Sequence, residues 1–74
     1  MAAFWDNEEL LGKITKNNRE EIQIKKVSKS GRDYVDIRIF WYDGNDDSFK
    51  PSQKGLAIPF DSVSELKEIL KKVE

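Results

Sequence analysis

Tyr34–Gly55 reads YVDIRIFWYDGNDDSFKPSQKG, and the organisation of the whole chain turns on its first half. Val35, Ile37 and Ile39 alternate there with Tyr34, Asp36, Arg38 and Phe40. A period of two sends successive side chains to opposite faces, the pattern of a half-buried strand. The spacing predicts a strand over Arg32–Tyr42 whose apolar row, Val35, Ile37 and Ile39, belongs to the core. Phe40 and Trp41 are adjacent, so at least one of these rings faces away from the core unless a bulge re-aims it. Asp43-Gly44-Asn45-Asp46-Asp47 is the strongest turn signal in the chain. Beyond it Lys50 and Lys54 flank Pro51, whose missing N–H confines the segment to an edge strand or a loop.

Toward the N-terminus, Ile22, Ile24 and the stem of Lys26 alternate with Gln23, Lys25 and Val27. This predicts a strand over Glu21–Ser28, joined to the next by a tight turn at Ser30-Gly31. Residues 1–19 read as an extension ahead of a single domain spanning 20–74. Within the extension, Asp6 or Asn7 can cap a short helix over Glu8–Leu11, which Gly12, Ile14 and Thr15 cut short. The alternative, and the preferred reading, is a strand over Leu11–Lys16 ending at the Asn17-Asn18 turn signal.

Toward the C-terminus, a short third strand is expected around Phe49 and a brief, largely buried one at Leu56, Ala57 and Ile58. Ser62-Val63-Ser64-Glu65 fits a capping box, with Asp61 as a second candidate cap. The helix that follows carries one apolar stripe, Val63, Leu66, Ile69, Leu70 and Val73, read as a core and dimer face. Lys67, Lys71 and Lys72 lie on its wet side, near the negative end of the helix dipole. Strands first and one helix last predict an α+β fold, a four-stranded antiparallel sheet with the helix packed across it. One helix covers part of one face, so the other stays open for a ligand or partner.

A domain of 74 residues buries only about 60% of the surface its unfolded chain exposes. Small scaffolds compensate with disulfides, a metal or a partner subunit. With no Cys and no His, self-association is the remaining route. The same absence removes thiol nucleophiles, the imidazole base and the common zinc ligands, so neither an enzyme nor a cofactor is expected. The acidic turn lacks the Gly and the bidentate Glu of a calcium loop. Adjacent carboxylates such as Glu20 and Glu21 point to opposite strand faces and form no acid/base pair. No apolar run approaches the 18 or so residues of a membrane span, and no signal-peptide pattern opens the chain. The expected location is cytoplasmic and nucleoid-associated in a bacterium, nuclear in a eukaryote.

Thirteen basic and fourteen acidic residues give a net charge of −1, unlike a domain built for bulk phosphate attraction, which is basic overall. A nucleic-acid site must therefore come from charge segregated onto one face. The mixture of Lys50 and Lys54 with Phe40, Trp41 and Tyr42 supplies the two elements such a site needs, cations for phosphates and rings for bases. The rival reading makes Phe40 and Trp41 core or dimer contacts and the open sheet face a surface for a peptide or protein partner.

Asp36-Ile37-Arg38-Ile39-Phe40-Trp41, the acidic turn, Lys50-Pro51-Ser52-Gln53-Lys54-Gly55-Leu56 and a capped helix containing Leu66-Lys67-Glu68 together resemble the transcriptional positive coactivator four family. The likeness covers about Lys25 to Leu70. It implies a curved four-stranded sheet plus C-terminal helix, a symmetric homodimer, and binding of single-stranded DNA in preference to duplex. Carried over by position, Trp41 stacks on a base, while Arg38, Lys50, Lys54 and Arg32 meet the backbone. Lys25 and Lys29 lie on one strand face and extend that set, and Phe40 and Tyr42 are further stacking candidates.

Four positions depart from the family pattern. Lys29 stands where an aromatic is frequent, Val27 at a usually basic position, and Ser52 and Gln53 in place of a Gly and a basic residue. Retained but weaker, more salt-sensitive binding is the expectation. Implied partners are single-stranded DNA, or RNA, a second copy of the chain, and transcription or repair proteins, with no membrane. The chain resembles a minimal bacterial or phage form of the family.

Overall fold

A computed structural model describes residues 4–73. Four strands, β1 Asn7–Thr15, β2 Glu20–Lys29, β3 Arg32–Asp43 and β4 Ser48–Pro59, form one antiparallel meander in chain order. Helix α1, Val63–Leu70, follows between 3-10 turns at Phe60–Ser62 and Lys71–Val73.

The turns follow from local chemistry. Ser30 and Gly31 both have positive φ, 54° and 80°, the geometry of a two-residue hairpin loop whose twist matches the strands it joins. Between β1 and β2, the Asn17 side-chain carbonyl accepts the backbone N–H groups of Arg19 and Glu20, each at 2.9 Å. This side-chain turn reverses the chain. β1 then pairs with β2 from Asn7 opposite Ser28 to Thr15 opposite Glu21. The strand alternative therefore holds, beginning earlier than Leu11, and the short helix over Glu8–Leu11 does not form.

The two strands expected around Phe49 and Leu56–Ile58 are a single strand, β4. Phe40 pairs with Pro51 whereas Arg38 pairs with Gly55. β4 thus takes two more residues than β3 over that interval, and Pro51–Gly55 swells into a bulge where the sequence suggested a break. β4 is an edge strand, the position where a ladder tolerates proline. At Gly55 an added Cβ would meet the Ile37 carbonyl oxygen at 2.7 Å and Arg38 Cα at 2.8 Å. Glycine is what lets the bulge close back onto β3. Leu56, expected to be buried, is exposed.

Directly paired residues share a face. Tyr34, Asp36, Arg38, Phe40 and Tyr42 of β3 lie with Val27, Lys25, Gln23 and Glu21 of β2; Val35, Ile37, Ile39 and Trp41 lie with Lys26, Ile24, Ile22 and Glu20. The row Val35, Ile37 and Ile39 is only partly the core: Val35 is buried, but Ile37 and Ile39 are half-buried. The opposite row contributes the most buried apolar side chain, Val27 at 1% exposure, and also Phe40.

Helix α1 is not packed across the sheet. It has no buried residue, and its substantial contacts are with the two flanking turns. Val63 and Leu66 are half-buried, whereas Ile69, Leu70 and Val73 are exposed, Val73 at 79%. The capping box is also absent: Ser62 has helical backbone angles and makes no side-chain cap bond, because the chain enters α1 through a 3-10 turn that opens after Pro59. The radius of gyration, 13.6 Å, exceeds the roughly 11 Å of a compact domain this long. Among the described residues no helix is long and apolar enough to cross a membrane.

Candidate nucleic-acid interface

Side chains two apart on a strand stand in line about 6.7 Å from each other. On β3 this sets Arg32, Tyr34, Asp36, Arg38, Phe40 and Tyr42 along one face. β2 adds Lys29 opposite Arg32 and Lys25 opposite Asp36. Four of the expected cations, Lys25, Lys29, Arg32 and Arg38, therefore share a face with Phe40 and Tyr42.

That face is concave, because residues from all four strands line one cleft of about 750 Å³. Lys25, Asp36, Arg38 and Phe40 form its floor. Phe4, Trp5 and Glu8 line it from the β1 side of the sheet, and Pro51, Ser52 and Gln53 from β4.

Three of these four cations are already engaged. Arg38 donates from Nε and Nη2 to the two carboxylate oxygens of Asp36, at 3.1 and 3.0 Å, and from Nη1 to the Ser52 carbonyl at 3.0 Å. Asp36 is 3% exposed, so this fork neutralises a buried charge while tying β3 to the β4 bulge. Ser52 Oγ donates to the Ile39 carbonyl at 2.7 Å, a second tie at the same place. Lys25 Nζ lies 3.2 Å from a Glu8 carboxylate oxygen and 4.9 Å from the Phe40 ring centre. Lys29 donates to the Phe4 carbonyl at 2.8 Å and sits 4.7 Å from the Phe4 ring centre. Among the described residues Arg32 makes no ion pair and is exposed.

Trp41 belongs to the opposite face, paired with Glu20 on β2 and Lys50 on β4, and is 43% exposed. Lys50 donates to Asp46 and lies 3.8 Å from Asp43. The Asp46 hydrogen bond, then the Asp46 and Asp43 charges, hold its ammonium above the usual lysine pKa. Glu20 is held below the ordinary carboxylate value, chiefly by the Asn17 hydrogen bond and the Lys16 charge, with a smaller pull from Lys54. Lys54 precedes the Gly55 that pairs with Arg38 of the concave row, so alternation sets it on the Glu20 and Trp41 side. The expected site thus divides into a concave row and a rim patch of Trp41, Lys50 and Lys54. Tyr42, at the end of the concave row, packs against Phe49 at 5.6 Å and donates to Asp47. This hydrogen bond, followed by burial and the acidic turn, raises its phenol pKa.

Sequence reading missed Phe4, Trp5, Glu8, Asp36 and Ser52. For Asp36 the signal was present, since positions 36 and 38 of one strand share a face. For Trp5 and Glu8 there was none, because only the pairing of β1 with β2 brings them to the cleft.

Fold and site define a small α+β domain that presents cations and rings on an open antiparallel sheet. The chain belongs to the transcriptional coactivator p15 (PC4) family, whose model matches residues 15–69. Membership of this nucleic-acid-binding family supports DNA binding as the general function. In structure it is similar to BPSL1147, a PC4 homolog from Burkholderia pseudomallei. The orthorhombic crystal form of that protein superposes with a TM-score of 0.83 at 24% identity, covering 96% of this chain and 95% of that one. The tetragonal form gives 0.79 at 22% identity, covering 90% and 97%. No curated protein matches the chain in sequence.

Proposed function

We propose that the protein is a homodimer that holds single-stranded DNA, without sequence preference, in transcription, replication or repair. The observation that carries this is the concave row, where Lys25, Lys29, Arg32 and Arg38 share one sheet face with Phe40 beside a cleft of about 750 Å³. Phosphates take Lys25 from Glu8 and Lys50 from Asp43 and Asp46, exchanging protein carboxylates for backbone oxygens. Arg38 keeps its fork on Asp36 and offers a phosphate only its remaining N–H groups. Phe40 and Tyr42 lie along the path of the bases, and Trp41 takes a base where the strand leaves the face over the rim.

A second copy of the chain is supported by surface area. The protein exposes 5990 Å², about 1,300 Å² more than a compact monomer of this size. A standard interface buries about 800 Å² per partner. The surplus includes Ile14, Leu56, Ile69, Leu70 and Val73, apolar side chains that a second copy would cover.

Anisotropy of a labelled single strand of about 20 bases tests the reading. Binding that weakens as salt rises is expected; no binding at low salt would overturn it. Trp41→Ala separates it from the protein-partner alternative. Lost DNA binding with an intact dimer supports the rim role of Trp41, whereas loss of the dimer makes Trp41 interface structure.

A further inference from the structure

We infer that Trp5 is a nucleobase-stacking residue, one of three rings, with Phe4 and Phe40, that line the concave cleft. The inference rests on the single-strand reading above and names a contact outside the strand motifs that suggested it.

Trp5 lies just ahead of β1 yet is fixed in place. The Asp6 backbone N–H donates to the Ser28 carbonyl at 2.8 Å, and the Asp6 carboxylate accepts the Ser30 N–H at 2.9 Å. Asn7 Nδ2 donates to Ser28 Oγ at 3.3 Å. These bonds anchor the segment to the end of β2 and to the turn that follows it. The Trp5 ring then packs on Tyr34, with centres 5.6 Å apart and planes at 44°, and takes the edge of Phe4 at 4.8 Å and 90°. An anchored ring loses little freedom when a base arrives, which favours binding.

The chemistry of the cleft selects the occupant. Trp5 lines the cleft together with Lys25, Phe40 and Arg38. A flat apolar ring with an anionic group attached satisfies both kinds of wall, and the volume of about 750 Å³ lies within the range of small-molecule sites. Trp5 is half-buried, so one part is held by Tyr34 and Phe4 while another lines the cleft. The charges of Lys25 and Arg38 are balanced by Glu8 and Asp36 at rest. Stacking therefore contributes more at this end of the face than net charge does.

The chain has two tryptophans, so Trp41→Phe leaves Trp5 as the sole indole reporter. Unlabelled single-stranded oligonucleotide is expected to quench its emission and to shield it from acrylamide. In anisotropy titrations of a labelled strand, Trp5→Ala is expected to weaken binding about tenfold, the scale of one lost base stack. Trp5→Phe, which keeps a ring, should retain most of the affinity. Should Trp5→Ala fail to fold, the Trp41→Phe emission decides alone. The inference is overturned if Trp5 emission and acrylamide access stay unchanged while the labelled strand is saturated. If the unsubstituted protein binds no labelled strand, the single-strand reading itself falls and takes this inference with it.

Discussion

Asp36 holds Arg38 through both carboxylate oxygens, Nε at 3.1 Å and Nη2 at 3.0 Å, with Asp36 only 3% exposed. The two residues are a pair because their spacing on β3 puts them on one face, and Arg38 extends the link to β4 through the Ser52 carbonyl. The Arg of the motif therefore has a structural task whatever it does to phosphate.

Removing Arg38 leaves a buried carboxylate without its partner, a change that costs about 3–5 kcal/mol. Arg38→Ala should accordingly lower the urea midpoint severely even without nucleic acid. A loss under about 1 kcal/mol, the range of an exposed ion pair, would contradict the role assigned to the fork.

Gly55 is the matching constraint on β4. A methyl group there would press on the Ile37 carbonyl and on Arg38 Cα, so Gly55→Ala should destabilise by about 1–3 kcal/mol, the usual cost of overpacking. Thermal unfolding measures this. An unchanged midpoint would mean that the bulge relaxes freely.

The acidic turn competes with DNA for Lys50. Asp46→Asn should bring the Lys50 pKa back toward the ordinary lysine value and tighten single-strand binding roughly two- to fivefold, the scale of one exposed ion pair. In the unsubstituted protein Lys50 and Tyr42 both have raised pKa values. Their stabilising contributions are therefore complete below the unfolded-state values and are lost as pH rises through the folded-state values. NMR titration of the Lys50 side chain and Tyr42 ring should place both midpoints above those of the free residues, and midpoints at or below them would contradict the contacts.

On the helix, the exposed end of the apolar stripe is where a second copy is expected. Light scattering at micromolar concentration should give a two-chain mass, and Leu70→Glu should shift it toward one chain. A stable monomer before substitution would contradict the dimer.

Alternation made β2 and β3 legible, with the division of their side chains into two rows. It did not say which row would be covered. Phe40 and Val27 of one row are buried, and Ile37 and Ile39 of the other are half-buried. Pro51 limits its segment to an edge strand or a loop without choosing between them, because a proline marks a lost donor equally at a strand end and within a bulge. The Arg38–Gly55 pairing that distinguishes the two is a long-range fact. The stripe of α1 was plain from Val63 to Val73, but periodicity names no partner, and the helix does not pack across its own sheet. Lys25, Lys29, Arg32 and Arg38 could be placed on one face from spacing. The placement of Trp41 on the far side of β3 followed from the same alternation, whereas that of Lys50 and Lys54 depends on the β3–β4 register.

The central claim is that this face holds unpaired DNA. Anisotropy titrations of a labelled single strand and of the matching duplex across a salt series test it most directly. The account predicts tighter binding of the single strand and a log–log salt slope of roughly −2 to −4, as up to six cations on each chain meet phosphates. A salt-independent affinity, or a duplex bound as tightly as the single strand, would contradict it.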